Sequence, residues 1–470
     1  MKVHITAVCG SAMANLAVLL REAGHEVRGS DAGAYPPMST YLADQGIEVR
    51  PAYAEANVLG VDLVVIGNAV GRGNPEVEAV LEQRRPFMSL PEALRHFVLA
   101  GREVIVVAGT HGKTTTTSLV AWMLECAGRA PGFLVGGLPQ NFGVGARLGS
   151  GPHLVLEGDE YDAAFFDKVP KFLHYWPQRA IVTNVEFDHG DIYRDIKDVQ
   201  WAFQRLFRII PRNGCIYAGA DSPYLREILP DTFCPVRTFG AGDSVDARVT
   251  DIDSTPEGVG FRLLRAAGGA WGSFFLPLSG AHNAFNASAV ALLGIDLGIE
   301  LEAIHHAFST FRGVARRQQA RGIFRGAPIV DDYGHHPTAV AATLAAIRKR
   351  FPGRRVLAAF EFRSNTSLSD AFRALYPRAF QDADEVLFGP LLKKRYSQGN
   401  VATGDVSPAD VARETRAAGI AARACEDLDE LIAHLHRSAG PDAVIVVLSS
   451  GSFGGLIERL LAADSAGGGK

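Results

Sequence analysis

The part of the sequence best suited to chemistry is Gly109-Thr110-His111-Gly112-Lys113-Thr114. It follows five apolar residues, 104–108, that read as a buried strand, and it precedes residues 115–127, whose apolar positions recur at helical spacing. A glycine-rich turn at a helix amino terminus points several backbone N–H groups at one anion, and the helix dipole adds to the attraction. In such a loop Lys113 sits against the β- and γ-phosphates of a nucleoside triphosphate, and the Thr114 hydroxyl is placed to ligate Mg²⁺. The strict form of this pattern has a glycine five residues before Gly112. That position is Val107, so the loop is a variant.

Two acidic clusters follow at the ends of strand-like runs. Glu157-Gly158-Asp159-Glu160-Tyr161-Asp162 ends the run 154–156, and Glu186-Phe187-Asp188-His189-Gly190-Asp191 comes after 181–184. Parallel sheets bind ligands at the carboxyl ends of their strands, so both clusters are expected to face the crevice that holds Lys113. A hard divalent cation takes oxygen ligands, for which Thr114 and Glu157 are suited, and His189 would add a nitrogen to a second ion. Asn283 and Asn286 open an apolar helix, where their amides could read an adenine edge or merely cap the helix. Arg316-Arg317 could reach phosphate oxygens or lie on the surface. The polar loop Asp331-Asp332-Tyr333-Gly334-His335-His336-Pro337 makes a poor zinc site, because neighbours on one loop rarely converge and no cysteine has matching spacing.

The elements that must position these groups form a long α/β chain. At roughly 150 residues per domain, 470 residues suggest about three domains. The first third alternates strand-like runs at 3–8, 26–29 and 62–67 with helical stretches at 13–23 and 75–84, and 85–102 reads as a short domain connection, helical in its middle. After the phosphate loop, strands are expected at 153–157, 179–184 and 215–218, with a small antiparallel insertion over 245–264 and a helix over 283–293. The pattern restarts near Arg316, with strands at 327–331, 356–360, 385–388 and 443–448 and a helix at 337–351. The domains are therefore drawn at 1–100, 101–315 and 316–470.

Lys plus Arg number 47 against 51 Asp plus Glu, a net charge of −4 that offers neither a nucleic-acid footprint nor a polybasic membrane patch. No apolar run approaches the ~18–20 residues of a membrane-spanning helix, and residues 1–5 do not resemble a signal peptide. The five cysteines are scattered and include no C-x-x-C pair, which argues against a disulfide framework and for a reducing cytoplasm.

Read in order, the motifs resemble the Mur ligase family. They are the phosphate loop, Glu157, Asn184-Val185-Glu186-Phe187-Asp188-His189, His282-Asn283-Ala284-Phe285-Asn286-Ala287, Arg316-Arg317 and Asp332-Tyr333-Gly334-His335-His336-Pro337. The resemblance covers essentially the whole chain. It implies a Rossmann-like amino-terminal domain that binds a UDP-sugar, a central P-loop ATPase domain and a Rossmann-like carboxyl-terminal domain that admits the incoming amine. Within the family, residues 4–31 are similar to the branch that includes the alanine-adding ligases. Tyr35-Pro36-Pro37-Met38-Ser39, Glu361-Phe362-Arg363-Ser364-Asn365-Thr366 and residues 449–455 are similar to the branch that joins UDP-N-acetylmuramate to the murein tripeptide L-alanyl-γ-D-glutamyl-meso-diaminopimelate. Two departures stand out: Phe362 where proline is expected, and Ser450 where asparagine is expected.

The resemblance implies catalytic roles for Lys113, Glu157 and His189, with ATP as co-substrate and two Mg²⁺ ions held through Thr114, Glu157 and His189. ATP would be bound by Gly109, Thr110, His111, Gly112, Lys113, Thr114 and Thr115, with Asn283 and Asn286 at the adenine, Arg317 at the phosphates, and Asp332 and His335 reaching over from the third domain. UDP would lie on Cys9, Gly10, Ser11, Ala12 and Met13, flanked by Ser30, Asp31, Asn68 and Ala69. The peptide would meet Arg363, Asn365 and Ser450. Several relatives carry a carbamylated lysine fifteen residues after the histidine; Gln204 stands there, so none is expected. A relative that adds alanine, or a nucleotide-gated binding protein, are the competing readings.

Overall fold

The computed structural model describes residues 1–34, 38–391 and 406–467. Tyr35, Pro36 and Pro37, which belong to one of the branch-specific motifs, lie outside the described residues.

The described strands form three sheets, one after another along the chain. The first is wholly parallel, in the order Glu48–Arg50, Glu26–Ser30, Lys2–Thr6, Leu63–Ile66, Phe87–Met88. Its first crossover helix, Ser11–Glu22, buries Met13 to Leu20 without interruption, which is why that stretch carries almost no polar residue. The segment 85–102 carries the helix expected in its middle, Leu90–Phe97, but is more than a connection: it also supplies the fifth strand, and Leu90, Ala93 and Leu94 enter the first core.

The second sheet has ten strands, with Glu103–Ala108 at its centre between Arg179–Val182 and His153–Gly158, all parallel. The region 245–264, read as a small antiparallel insertion, holds the strands Ala247–Thr255 and Gly258–Arg265, and with a third, Ala270–Leu276, beyond it they form a meander that extends this sheet. It joins through a short parallel pairing of Phe239 and Gly240 with Ala247 and Arg248, so one hydrophobic core covers both parts. Helix Lys113–Cys126 buries Thr114 to Ser118 despite their hydroxyls. Thr117 and Ser118 donate back to the carbonyls of Lys113 and Thr114 at 2.8 and 2.7 Å, which lets this polar turn lie under the sheet.

The third sheet runs Gln319–Phe324, Ala327–Asp332, Ala443–Leu448, Arg355–Phe360, Glu385–Phe388, Ala421–Ala424, parallel apart from the first hairpin. Side-chain bonds clasp the three units. Asn15 donates to the Val135 carbonyl at 2.8 Å, and Ser89 donates to Asp167 at 2.6 Å. Phe187, from the middle unit, stacks on Phe372 of the third with ring centroids 5.6 Å apart. These clasps bring the carboxyl ends of the central strands against the third unit, and the site forms there. No helix among the described residues is long and apolar enough to cross a membrane.

Candidate active site

The strand Glu103–Ala108 ends in a turn that only glycines can make. Gly109 has φ +133°, and Gly112, at φ +83°, caps the helix Lys113–Cys126. A Cβ on Gly112 would lie 2.7 Å from Asn286 Oδ1, so the loop and the amino-terminal turn of helix Ala281–Asp296 are in contact. Thr110 exchanges hydrogen bonds with the backbone of Glu186, and the His111 N–H donates to Asn184 Oδ1 at 2.9 Å. The segment that follows strand Arg179–Val182 thus holds the phosphate loop in shape.

Lys113 folds back over this loop. Its ammonium donates to Gly109 O at 2.7 Å and to the two carboxylate oxygens of Glu160 at 3.1 and 2.8 Å. Burial alone would lower its pKa, but Glu160, Asp159 and Glu157 around it raise it, so the amine is firmly charged. The Thr114 hydroxyl donates to Glu157 Oε1 at 2.7 Å, and Glu157 Oε2 accepts the Gly136 N–H at 2.6 Å. Gly136 must be small, because a Cβ there would stand 3.0 Å from that carboxylate. Burial, followed by the charge of Asp159, pushes the Glu157 carboxyl up. A bound cation would offset what burial and Asp159 cost the ionised carboxylate, and Glu157 with the Thr114 hydroxyl oxygen is a ligand pair suited to a hard divalent ion. His189 sits in a left-handed conformation at φ +53°, its Nε2 3.4 Å from Glu160 Oε1. Burial works against its charge, yet the Glu160 bond and Asp188 hold its pKa up at about 9. Lys113, Glu157 and His189 therefore converge, with Glu160 between Lys113 and His189. Glu160 was not singled out in the sequence, because four acidic residues crowd that loop and only the fold tells them apart.

A cavity of about 230 Å³ opens beside the loop, lined by Thr114, Thr115, Asn283, Asn286, Arg317 and Asp332 among others. The helix begins at Ala281 with Gly280 as its cap, so Asn283 does not cap it; its amide donates to Ser279 O at 2.8 Å. Asn286 donates to Asn283 Oδ1 at 3.4 Å. Arg317 reaches across from the third unit, donates to the Thr114 hydroxyl at 3.1 Å and lies over the Tyr333 ring. Asp332 accepts the N–H groups of Gln318 and Gly334 at 2.8 and 2.7 Å, an internal tie that shapes its loop. His335 does not line the cavity. It is half-buried with Nδ1 3.0 Å from the Tyr333 carbonyl, and its electrostatic neighbours are Asp188, His189 and Arg317, which places it towards the reacting end.

A clasp that the sequence reading did not single out closes the seam. Glu186 Oε2 accepts the Thr338 hydroxyl at 2.8 Å and lies 3.3 Å from His111 Nε2. Asp188 accepts the Thr366 hydroxyl at 2.5 Å. His336 Nε2 donates to Phe187 O at 3.2 Å while its Nδ1 accepts the Thr338 N–H at 3.2 Å. His111, Glu186 and His336 come close enough together to suggest a metal site, but both nitrogens of His336 are already used within the protein.

In the first unit, the turn Cys9-Gly10 opens helix Ser11–Glu22 with no acidic residue in its first turn, and Gly10 and Ser11 are exposed. Asp31 braces this turn, accepting the Cys9 N–H at 2.9 Å. The Met13 side chain belongs to the core, so the backbone is what this position offers a ligand. Ser30 is likewise internal, its hydroxyl donating to buried Glu76 at 2.7 Å in a network with His4, Thr6 and Asn57. Asn68 donates to Asp162 of the middle unit at 3.3 Å, and Ala69 is exposed beside it.

In the third unit, Arg363 lies across Gly451, with its guanidinium 3.6 Å from buried Glu361. Asn365 donates to Asp191 at 2.7 Å, and Ser450 is half-buried next to Gly451. Gln204 bonds Asp231 on the exposed side of its helix.

Three family models match in sequence order: the Mur ligase family catalytic domain over residues 2–102, the Mur ligase middle domain over 107–294, and the Mur ligase glutamate ligase domain over 316–451. The chain belongs to the Mur ligase family. This Mur ligase is 39% identical over 464 residues, 98% of each chain, to the UDP-N-acetylmuramate–L-alanyl-γ-D-glutamyl-meso-2,6-diaminoheptandioate ligase of Escherichia coli strain K12. It is 34% identical to the UDP-N-acetylmuramate–L-alanine ligase of Variovorax paradoxus, over 98% of this chain and 96% of that one. Among solved structures, a murein peptide ligase from Psychrobacter arcticus 273-4 aligns over 98% of both chains with a TM-score of 0.77 and 33% identity. The three-domain α/β architecture expected from the motifs is the one these relatives share.

Proposed function

We propose that this Mur ligase joins UDP-N-acetylmuramate to L-alanyl-γ-D-glutamyl-meso-diaminopimelate, converting ATP to ADP and phosphate, in the recycling of murein. The supporting observation is the full-length similarity to the tripeptide-adding ligase, which exceeds that to the alanine-adding one. The convergence of Lys113, Glu157 and His189 gives the chemistry a place. We assign the UDP-sugar to residues 1–100, ATP to 101–315 and the peptide to 316–470. With ATP and a UDP-linked sugar as its substrates, the reaction belongs in the cytoplasm.

A carboxylate oxygen is a poor leaving group, so the acid must be activated first. The lactyl carboxylate attacks the γ-phosphorus of ATP, ADP leaves, and an acyl phosphate forms. The tripeptide's free amine adds to the acyl carbon, and the tetrahedral intermediate collapses to the amide as phosphate departs. Lys113 keeps its positive charge beside the transferred phosphoryl group, and Arg317 reaches the phosphates from the other side of the seam. Thr114 and Glu157 would hold one divalent cation and His189 a second, and Mg²⁺ bound there would supply positive charge to offset that of the phosphoryl and carboxylate oxygens. The seam formed by Glu186, Asp188 and their third-domain partners keeps water from the acyl phosphate. The exposed N–H groups of the Gly10 turn take the UDP diphosphate. Arg363 takes a peptide carboxylate, flanked by Asn365 and Ser450.

The test is to supply UDP-N-acetylmuramate and ATP with either the tripeptide or L-alanine, measure phosphate release and identify the product by mass spectrometry. Release with the tripeptide is expected. Release with alanine alone would move the enzyme to the alanine-adding branch.

A further inference from the structure

Glu160 is the carboxylate that the proposed mechanism leaves without a task. Its side chain is 2% exposed, and it lies 2.8 Å from the Lys113 ammonium and 3.4 Å from His189 Nε2. Each of its neighbours in the acidic loop is engaged elsewhere. Glu157 takes Thr114 and the Gly136 N–H, and Asp159 takes Lys171 at 2.9 Å. Only Glu160 faces the two groups that come from the other strand ends, Lys113 and His189. Its backbone is fixed as well, since the Tyr193 hydroxyl donates to its carbonyl.

An imidazole has two nitrogens, and a carboxylate beside one of them decides which carries the proton. Here Glu160 Oε1 stands 3.4 Å from Nε2, and among the described residues Nδ1 makes no hydrogen bond. The ring is held from other directions too. The His189 N–H donates to Asp188 at 2.7 Å, and the ring of Tyr161 lies 4.9 Å from it. We propose that Glu160 is a positioning residue for the ligation: it holds Nε2–H of His189, so that Nδ1 is the atom offered to the second divalent cation, and ties that imidazole to Lys113. This inference rests on the proposed function, in which His189 is a metal ligand.

The test measures Mn²⁺ binding by electron paramagnetic resonance, with AMP-PNP and UDP-N-acetylmuramate present, for the parent enzyme, Glu160→Gln and Glu160→Asp. Carboxylates that orient a ligating histidine typically contribute 10–100-fold to metal affinity. Glu160→Gln is therefore expected to weaken the second Mn²⁺ by about 10–100-fold and to raise the Mg²⁺ concentration for half-maximal rate by the same factor. Glu160→Asp falls between. AMP-PNP binding in EDTA, which requires the folded loop but no metal, stays within a few-fold of the parent.

Second-site Mn²⁺ affinity within twofold of the parent would overturn the inference. So would loss of metal-free AMP-PNP binding in both variants, since Glu160 would then serve the fold of the loop. If the parent itself binds no second ion, His189 is no ligand, and the proposed function's metal arrangement falls together with the inference.

Discussion

Lys113 and Glu160 form an ion pair 2.8 Å long, with side chains 11% and 2% exposed, so removing one partner strands a charge away from water. Breaking a buried pair from one side generally costs about 3–5 kcal/mol, most of it the penalty of the charge left behind. In Lys113→Met, Glu160 keeps His189 at 3.4 Å as a partial partner, which puts the expected loss at the low end, about 3 kcal/mol. For a unit the size of the middle domain, that corresponds to a fall of roughly 6–12 °C in its unfolding transition. Lys113→Met/Glu160→Gln removes both charges and should recover most of the loss, while ligase activity stays abolished in both variants. Differential scanning calorimetry follows the transition and a phosphate-release assay follows the activity. If the double variant melts no higher than the single one, the pair does not carry the buried charge balance described above. If Lys113→Met retains parental activity, the phosphate-loop chemistry is refuted with it.

Arg317→Met removes the cation that bonds Thr114 across the seam, so the KM for ATP should rise or kcat fall by about 10²-fold or more. Steady-state kinetics in ATP would check this, and unchanged constants would remove Arg317 from the phosphate site. Arg363→Ala should raise the KM for the tripeptide at least about tenfold, the loss of one charge-assisted pair, with the KM for ATP unaltered; an unchanged tripeptide KM would exclude it. His336 is held neutral, its pKa lowered by burial and by His111 to about 4, with Nδ1 accepting a backbone N–H. Because its folded pKa is depressed, the unfolded chain binds the proton first. Stability should therefore fall as pH drops from about 6.5 towards 4 and level off below, by about 3 kcal/mol from this group. Melting curves across that range should flatten in His336→Asn, which keeps a capping acceptor but does not titrate.

The strands at 104–108, 153–157, 356–360 and 443–448 were legible because each is a short apolar run closed by a polar turn, and burial on both faces leaves no other reading. The phosphate loop was legible for the same reason, since a glycine turn between such a strand and a helix has few uses. Edge strands were missed. Gln319–Phe324 and Ala421–Ala424 are largely exposed or half-buried, so no hydrophobic period marks them, and they exist because a neighbouring strand offers free hydrogen-bonding groups. The first two strands of the meander, within 245–264, were recognised as β structure but not as part of the central sheet, because its attachment rests on two residue pairs, and the third strand, Ala270–Leu276, was missed.

The candidate site divides along a similar line. Residues with one task stood out by type, as Lys113 and Thr114 did. Residues whose task depends on a partner did not. Ser30 looks from sequence like a ligand-facing turn residue, but its hydroxyl is taken by Glu76, forty-six positions away. Asn283 looks like a cap, but the cap is Gly280. Glu160 looks like one acid among four, but is the one opposite both Lys113 and His189. In each case local pattern sets where the backbone goes, and long-range pairing decides which polar atom remains free for a substrate. A buried polar group must be satisfied by something, so the free atoms of this site are those left over once the strand ends have paired. Among the described residues His189 Nδ1 is such an atom: Glu160, Asp188 and Tyr161 already lie against the rest of His189, so in the proposed reaction it is this nitrogen that would meet the second cation.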